Sequence, residues 1–194
     1  MHKKMVIATR NKGKLAEYEY MLQPLGYELF SMFDFPVPEV IETGKTFLEN
    51  ARLKAEAMRQ HTREMILAED SGLIVDALGG APGVYSSRYS KAGTDIGNNE
   101  KLLAELASHH DRRARFVAVI VLIQASGEMR VFQGELPGYI HTECSGELGF
   151  GYDPLFIPIG HTETLAELGP NTKNRLSHRA RALRQLLDYL QAES

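Results

Sequence analysis

A single cysteine, Cys144, is all that the sequence carries, so no disulfide within the chain is available and the pattern fits a reducing compartment. Long hydrophobic runs are missing too. The longest, Phe116 to Ile123, is eight residues, against the roughly 18 to 20 that a membrane-crossing helix requires. At the start, the basic Met1-His2-Lys3-Lys4 is followed only by Met5 to Ala8 before Thr9-Arg10-Asn11-Lys12, which reads as a strand and not as a signal peptide. A cytoplasmic protein is expected. Nor is positive charge in excess: 22 Lys and Arg stand against 25 Asp and Glu, a formal net charge of −3, which gives no diffuse basic field to hold duplex nucleic acid. Neither nucleic acid nor a membrane is expected as a partner. Internal repeats, low-complexity segments, zinc-ligand spacings and a G-x-S-x-G elbow are all absent.

What remains is an ordinary soluble composition, 43% hydrophobic and 24% charged over 194 residues, long enough to bury a core without staples. Met5 to Thr9 reads as a strand buried on both faces, and Leu15 to Leu25 has helical spacing. Tyr27 to Met32 is a second strand, followed by a loop from Phe33 to Gly44. Thr46-Phe47-Leu48-Glu49 has the capping-box spacing, which predicts a helix from Thr46 to His61. Met65 to Ala68 and Leu73 to Val75 read as two strands flanking Glu69-Asp70-Ser71-Gly72, and Gly79-Gly80-Ala81-Pro82-Gly83 breaks regular structure. Thr94 or Asp95 caps a helix through Leu106. Arg115 to Gln124, Glu128 to Gln133 and Tyr139 to Thr142 read as antiparallel strands, the first two joined at Ser126-Gly127. Ser177 caps a final helix with Ala180, Leu183, Leu187 and Leu190 as its apolar stripe. The order implies an α/β fold with a mixed sheet, read as one domain, 1–194, in two lobes.

Four segments carry residues suited to chemistry. Thr9-Arg10-Asn11-Lys12-Gly13-Lys14 leads from strand to helix, where backbone N–H groups and the positive helix end suit a phosphate; a solvated turn with surface lysines is the competing reading, and the segment is no Walker A loop. Glu69 and Asp70 could hold Mg²⁺ or accept a proton from an attacking water, or form an Asp-Ser-Gly turn bonded to its own backbone. Glu39 and Glu42 add acids in the preceding loop, and Asn50 and Lys54 share a helix face. In Gly149-Phe150-Gly151-Tyr152-Asp153-Pro154, glycines on both sides let the Phe150 ring stack on a base, unless the segment is a tight turn with core aromatics. Lys173 with Ser177-His178-Arg179 places donors on the last helix, where solvent-facing side chains are the alternative.

Taken together and in order, Thr9 to Lys14, Glu42-Thr43-Gly44, Phe47 to Ala51, Lys54-Ala55, Glu69 to Leu73, Leu78 to Ser86, Gly149 to Pro154 and Lys173 to Arg179 resemble the inosine/xanthosine triphosphate pyrophosphatase family over nearly the whole chain. The resemblance implies an elongated mixed β-sheet with flanking helices, forming two lobes around a nucleotide-binding cleft, and a homodimer. It implies Mg²⁺-dependent hydrolysis of dITP, ITP and XTP to the monophosphate and pyrophosphate, which cleanses the nucleotide pool. Carried over, Asp70 is the base and a metal ligand, with Glu42 as second metal carboxylate and Glu39 its rival. Asn11, Lys14, Lys54 and Ser71 hold the triphosphate, with Thr9, Arg10, Lys12 and Gly13 in the same loop. Phe150 stacks on the base, flanked by Gly151 and Tyr152, while Asp153, Lys173, His178 and Arg179 surround its edge. Arg10, Glu69, Ser145 and Gly169 to Thr172 depart from the commonest pattern. The alternatives are a Maf-like pyrophosphatase for pyrimidine or modified nucleotides, and a catalytically silent nucleotide-binding regulator.

Overall fold

The computed structural model describes residues 3–192. Six strands form one sheet in the order β2-β1-β3-β4-β5-β6: β1 (Lys3–Ile7), β2 (Tyr27–Ser31), β3 (Met65–Val75), β4 (Arg113–Ile123), β5 (Met129–Ile140) and β6 (Phe156–Pro158). Among the described residues five α-helices accompany them: α1 (Lys12–Leu22), α2 (Phe47–Arg59), α3 (Asp95–Glu105), α4 (Leu165–Leu176) and α5 (His178–Ala192). Strand β1 pairs in parallel with β2 and β3, and β5 pairs antiparallel with β6. The mixed α/β architecture is the expected one. The chain divides into two compact units, one of Met1–Asp70, Ala118–Gln133 and Ala182–Ser194, the other of Ser71–Val117 and Gly134–Arg181.

Strand alternation organises the first unit. Met5 and Ile7 of β1, Leu67 of β3 and Ile120 of β4 share a core with Tyr18 and Leu22 of α1 and Leu183 and Leu186 of α5. Their neighbours Val6, Ala8, Ile66, Ala68 and Val121 share another with Ala51, Ala55 and Met58 of α2. Successive strand residues point to opposite faces, so each strand feeds two cores and reads as a continuous apolar run. The second unit has one core, in which Leu73 and Val75 of β3 meet Leu102 and Leu106, Phe116, Leu136, Ile140, Phe156 and Leu165.

Several elements differ from the sequence-based expectation. Met65–Val75 is one uninterrupted strand, so Glu69 to Gly72 lie within β3 and the Asp-Ser-Gly turn reading falls. The expected strands Glu128 to Gln133 and Tyr139 to Thr142 are likewise joined, since β5 runs unbroken from Met129 to Ile140, although Pro137 lies inside it and breaks the apolar alternation. Helix α4 and strand β6 were not expected. Thr164 and Glu167 nevertheless form a capping box at the start of α4, and Gly169, at φ +76°, with Pro170 after it, kinks this helix and hides its periodicity. The first helix starts at Lys12, three residues earlier than its apolar spacing indicates, because Asn11 caps it. In α5, Ala182, Leu183 and Leu186 are the buried stripe of the first unit, with Leu187 and Leu190 partly buried against it, while Ala180 is buried in the second unit.

Gly138 sets how closely β5 approaches β6. A Cβ there would meet the Ile157 carbonyl oxygen at 2.3 Å and the Phe156 ring at 2.5 Å, and a backbone obstacle cannot swing aside. Gly138→Ala should therefore destabilise the protein by about 2 kcal/mol, read as a lowered urea midpoint; a midpoint equal to the parent's would show that the strands separate freely.

Candidate functional site

Alternation along β3 sends its polar residues to different helices. Asp70 continues the face of Ile66 and Ala68, toward α2, and is buried. Its Oδ1 lies 3.3 Å from Lys54 Nζ and its Oδ2 accepts from Asn50 Nδ2 at 3.1 Å. Asn50 and Lys54 are one helical turn apart, so both reach the same carboxylate. The Lys54 ammonium also lies 2.8 Å from Glu42 Oε1, which brings two carboxylates onto one cation. Asn50 holds the loop carrying Glu42 as well: its Oδ1 accepts from Gly44 N at 2.8 Å, and a Cβ at Gly44 would stand 2.6 Å from that oxygen. The capping box of Thr46 and Glu49 fixes where α2 begins. Glu39 is exposed, so Glu42 is the loop carboxylate that meets Asp70's partner.

Glu69 continues the other face, that of Leu67, toward α1. It is buried, accepts from Tyr18 Oη at 2.5 Å and pairs with Lys14 Nζ at 3.2 Å. Lys14 stands in the first turn of α1. The turn is capped by Asn11, whose Oδ1 accepts from Lys14 N at 3.0 Å, while Asn11 N donates to Thr9 Oγ1 at 3.1 Å. Lys12 and Gly13 belong to that first turn, whose N–H groups have no acceptor within the helix and suit an anion. Arg10 donates to the Val37 carbonyl, which turns it toward the following loop.

The electrostatics favour a hard cation. Burial pushes the Asp70 carboxyl above its ordinary value, Lys54 and Lys14 pull it back, and Glu42 raises it further. Three carboxylates, of Glu42, Glu69 and Asp70, face two ammonium groups, of Lys14 and Lys54. Among the described residues no three His, Cys, Asp or Glu side chains form a cation cage. Glu42 and Asp70 could thus hold a divalent ion only as Mg²⁺ is commonly held, through one or two carboxylates with water and phosphate oxygens completing the shell.

The second unit gathers the other predicted residues. Gly149 and Gly151 have φ of +85° and +63°, the left-handed region that glycine enters without penalty, and Phe150 is half-buried between them. Asp153 is buried; its Oδ2 accepts from Phe150 N at 3.0 Å and from Lys173 Nζ at 2.5 Å. The Lys173 ammonium lies 4.0 Å from the Phe150 ring centroid and the Arg179 guanidinium 5.9 Å. His178 is buried, its ring stacked on Phe116 at 4.8 Å and 12°. Arg179, 1% exposed, donates to Ser71 Oγ at 3.3 Å. The solvated reading of the last helix's first turn therefore falls. Tyr152 is a core residue whose hydroxyl donates to the Ser86 carbonyl at 2.8 Å, so within this loop one aromatic is packed and the other presented.

Sequence reasoning named residues of both units: Thr9 to Lys14, Glu39, Glu42, Lys54 and Asp70 lie in the first, and Ser71, Phe150 to Asp153, Lys173, His178 and Arg179 in the second. It missed Tyr18 and Glu69 as a buried pair, because Tyr18 reads as one more apolar residue of α1. It also missed the roles of Asp95 and Asn99, which bond the backbone of Gly151.

The family model described as the Ham1 family matches residues 5–189 of this chain. A Streptococcus pneumoniae protein named dITP/XTP pyrophosphatase is 50% identical over 190 residues, covering 95% of this chain and 94% of that protein. Streptococcus pyogenes proteins of the same name are 50% identical over 194 residues, and this chain spans 59% of their length. The solved structure of the Staphylococcus aureus Ham1 protein superposes with a TM-score of 0.88 at 40% identity, covering 99% of this chain and 100% of that one.

The raised carboxyl of Asp70 has a consequence for stability. Between its unfolded and folded pKa values the native state binds more protons than the unfolded one, so its contribution falls as pH rises through that window and stays unfavourable above it. Asp70→Asn should raise the urea midpoint at pH 7 in the presence of chelator, and the gain should shrink as pH falls through the ordinary carboxylate range, below which the parent carboxyl is protonated in both folded and unfolded states. An equal or lower midpoint at pH 7 would contradict the burial argument.

Proposed function

Since the chain belongs to the Ham1 family, we propose that it hydrolyses dITP, ITP and XTP to the nucleoside monophosphate and pyrophosphate. The observation that carries the reading is the buried carboxylate of Asp70 sharing the Lys54 ammonium with Glu42, beside a helix start able to receive an anion. Asp70 accepts the proton of the water that attacks the alpha phosphorus. Lys54, Lys14 and the first turn of α1 hold the phosphate chain. Glu42 and Asp70 would hold Mg²⁺, which would supply charge neutralisation for the leaving pyrophosphate. Ser71, assigned here to the triphosphate, also receives the Arg179 guanidinium, which orients that side chain. A homodimer in the cytoplasm belongs to the same reading.

Recognition of the base falls to the second unit. Phe150 offers a ring face, and Lys173, His178 and Arg179 offer donors from buried positions. Hypoxanthine and xanthine present a carbonyl at position six, which accepts from such donors. Adenine presents an amino group there and leaves a buried donor unsatisfied, at a cost of about 1 to 3 kcal/mol.

The test is pyrophosphate release with dITP, XTP, ATP, GTP, dTTP and UTP. Preference for dITP and XTP, stopped by EDTA and restored by Mg²⁺, is expected. Preference for the pyrimidine nucleotides would move the chain to the Maf-like reading, and nucleotide binding without turnover would make it a regulator. His178→Ala should narrow the ITP-to-ATP ratio of kcat/KM by about tenfold, the loss of one donor contact; an unchanged ratio would assign discrimination to other residues.

A further inference from the structure

Phe150 stands between two glycines in left-handed conformations, so the loop that presents it has little stiffness of its own. Space does not explain Gly151, since a Cβ there would meet nothing within 4 Å; the backbone conformation does. Such a conformation persists only where the surroundings hold it, and the holding groups come from α3. Asp95 Oδ2 accepts from Gly151 N at 2.7 Å, and Asn99 Nδ2 donates to Gly151 O at 3.0 Å. The two are four residues apart, one turn of helix, and so grip the donor and the acceptor of the same residue from one face.

Helix α3 is itself anchored. Asn98 donates to the carbonyls of Ser86 and Ser87, both at 3.3 Å, and accepts from Ser90 N at 2.7 Å. Tyr152 Oη reaches the same Ser86 carbonyl, and Ser86 Oγ accepts from Leu73 N at 2.9 Å. The Gly151 grip is therefore fixed to β3 through a chain of hydrogen bonds within the second unit.

We propose that Asp95 and Asn99 are positioning residues for base recognition, clamping Gly151 so that the Phe150 ring is held in place. The proposal rests on the reading that Phe150 stacks on the base. Its test is calorimetric binding of inosine monophosphate and of pyrophosphate separately, with Mg²⁺ in the buffer. Asp95→Ala and Asn99→Leu should each weaken the monophosphate about tenfold and leave pyrophosphate within twofold, and Asp95→Asn, which keeps an acceptor, should restore most of the loss. A merely structural role would weaken both ligands alike, and that result overturns the proposal. Phe150→Ala separates the two levels: if it weakens the monophosphate while the clamp variants do not, the clamp is wrong and the stacking stands; if it leaves the monophosphate unchanged, the stacking reading falls and the clamp with it. Should Asp95→Ala fail to fold, Asn99→Leu, which keeps the branched skeleton and faces the same backbone, gives the answer alone.

Discussion

A strand must point consecutive side chains to opposite faces, and in β3 that constraint falls on Glu69, Asp70 and Ser71. Glu69 meets Lys14 and Tyr18 of α1, and Asp70 meets Asn50 and Lys54 of α2. The apolar residues before them already assign those faces, since Leu67 belongs to the α1 core and Ile66 and Ala68 to the α2 core. A slip of one residue would turn each acid to the wrong helix and send the apolar residues with it. The core thus enforces the register on which the site depends, and the two cannot vary independently.

The same placement makes the site expensive to build. A carboxylate taken from water must be compensated by hydrogen bonds and opposite charge or it takes up a proton. Asn50 and Lys54 supply part of this for Asp70, yet Glu42 works against them and the carboxyl stays above its ordinary value. An added positive charge beside Asp70 would lower that cost further, as the proposed Mg²⁺ would. In the second unit the buried Asp153 has Lys173 at 2.5 Å and the Phe150 N–H at 3.0 Å, a local pairing of opposite charges. Of these two buried acids Asp70 is left short of compensation while Asp153 is matched, and it is to Asp70 that the proposed function assigns the proton transfer.

Much of this was legible in the residues. The capping box at Thr46 gave α2, its one-turn spacing gave Asn50 and Lys54 a common face, and the acids of Glu69-Asp70 pointed to a site. Their strand was harder to see, because Glu, Asp, Ser and Gly in succession read locally as a turn; pairing with neighbouring strands and burial on both faces override that preference. Pro137 and Gly138 split β5 for the same reason, where the close approach of β6 in fact demands the glycine. Helix α4 was obscured by its own kink at Gly169. Tyr18 and the Asp95–Asn99 grip were out of reach, since a hydroxyl on a buried apolar face and a side chain bonded to a distant backbone leave no local pattern.

Under the proposed function the two units solve different problems with different materials. Proton transfer and charge neutralisation demand fixed distances, and Asp70, Asn50 and Lys54 stand on a central strand and a capped helix, the stiffest elements available. Recognition of a planar ring demands a surface that can be presented from the chain, and a ring between two glycines offers that at the cost of stiffness. Such a loop recognises nothing sharply unless its freedom is removed before the ligand arrives, because ordering it on binding would consume affinity. Asp153 on one side of Phe150, and Asp95 and Asn99 on the other, remove it in the folded protein. The polar network of Asn98, Ser86 and Tyr152 behind α3 is then understandable as the framework that holds the aromatic loop ready.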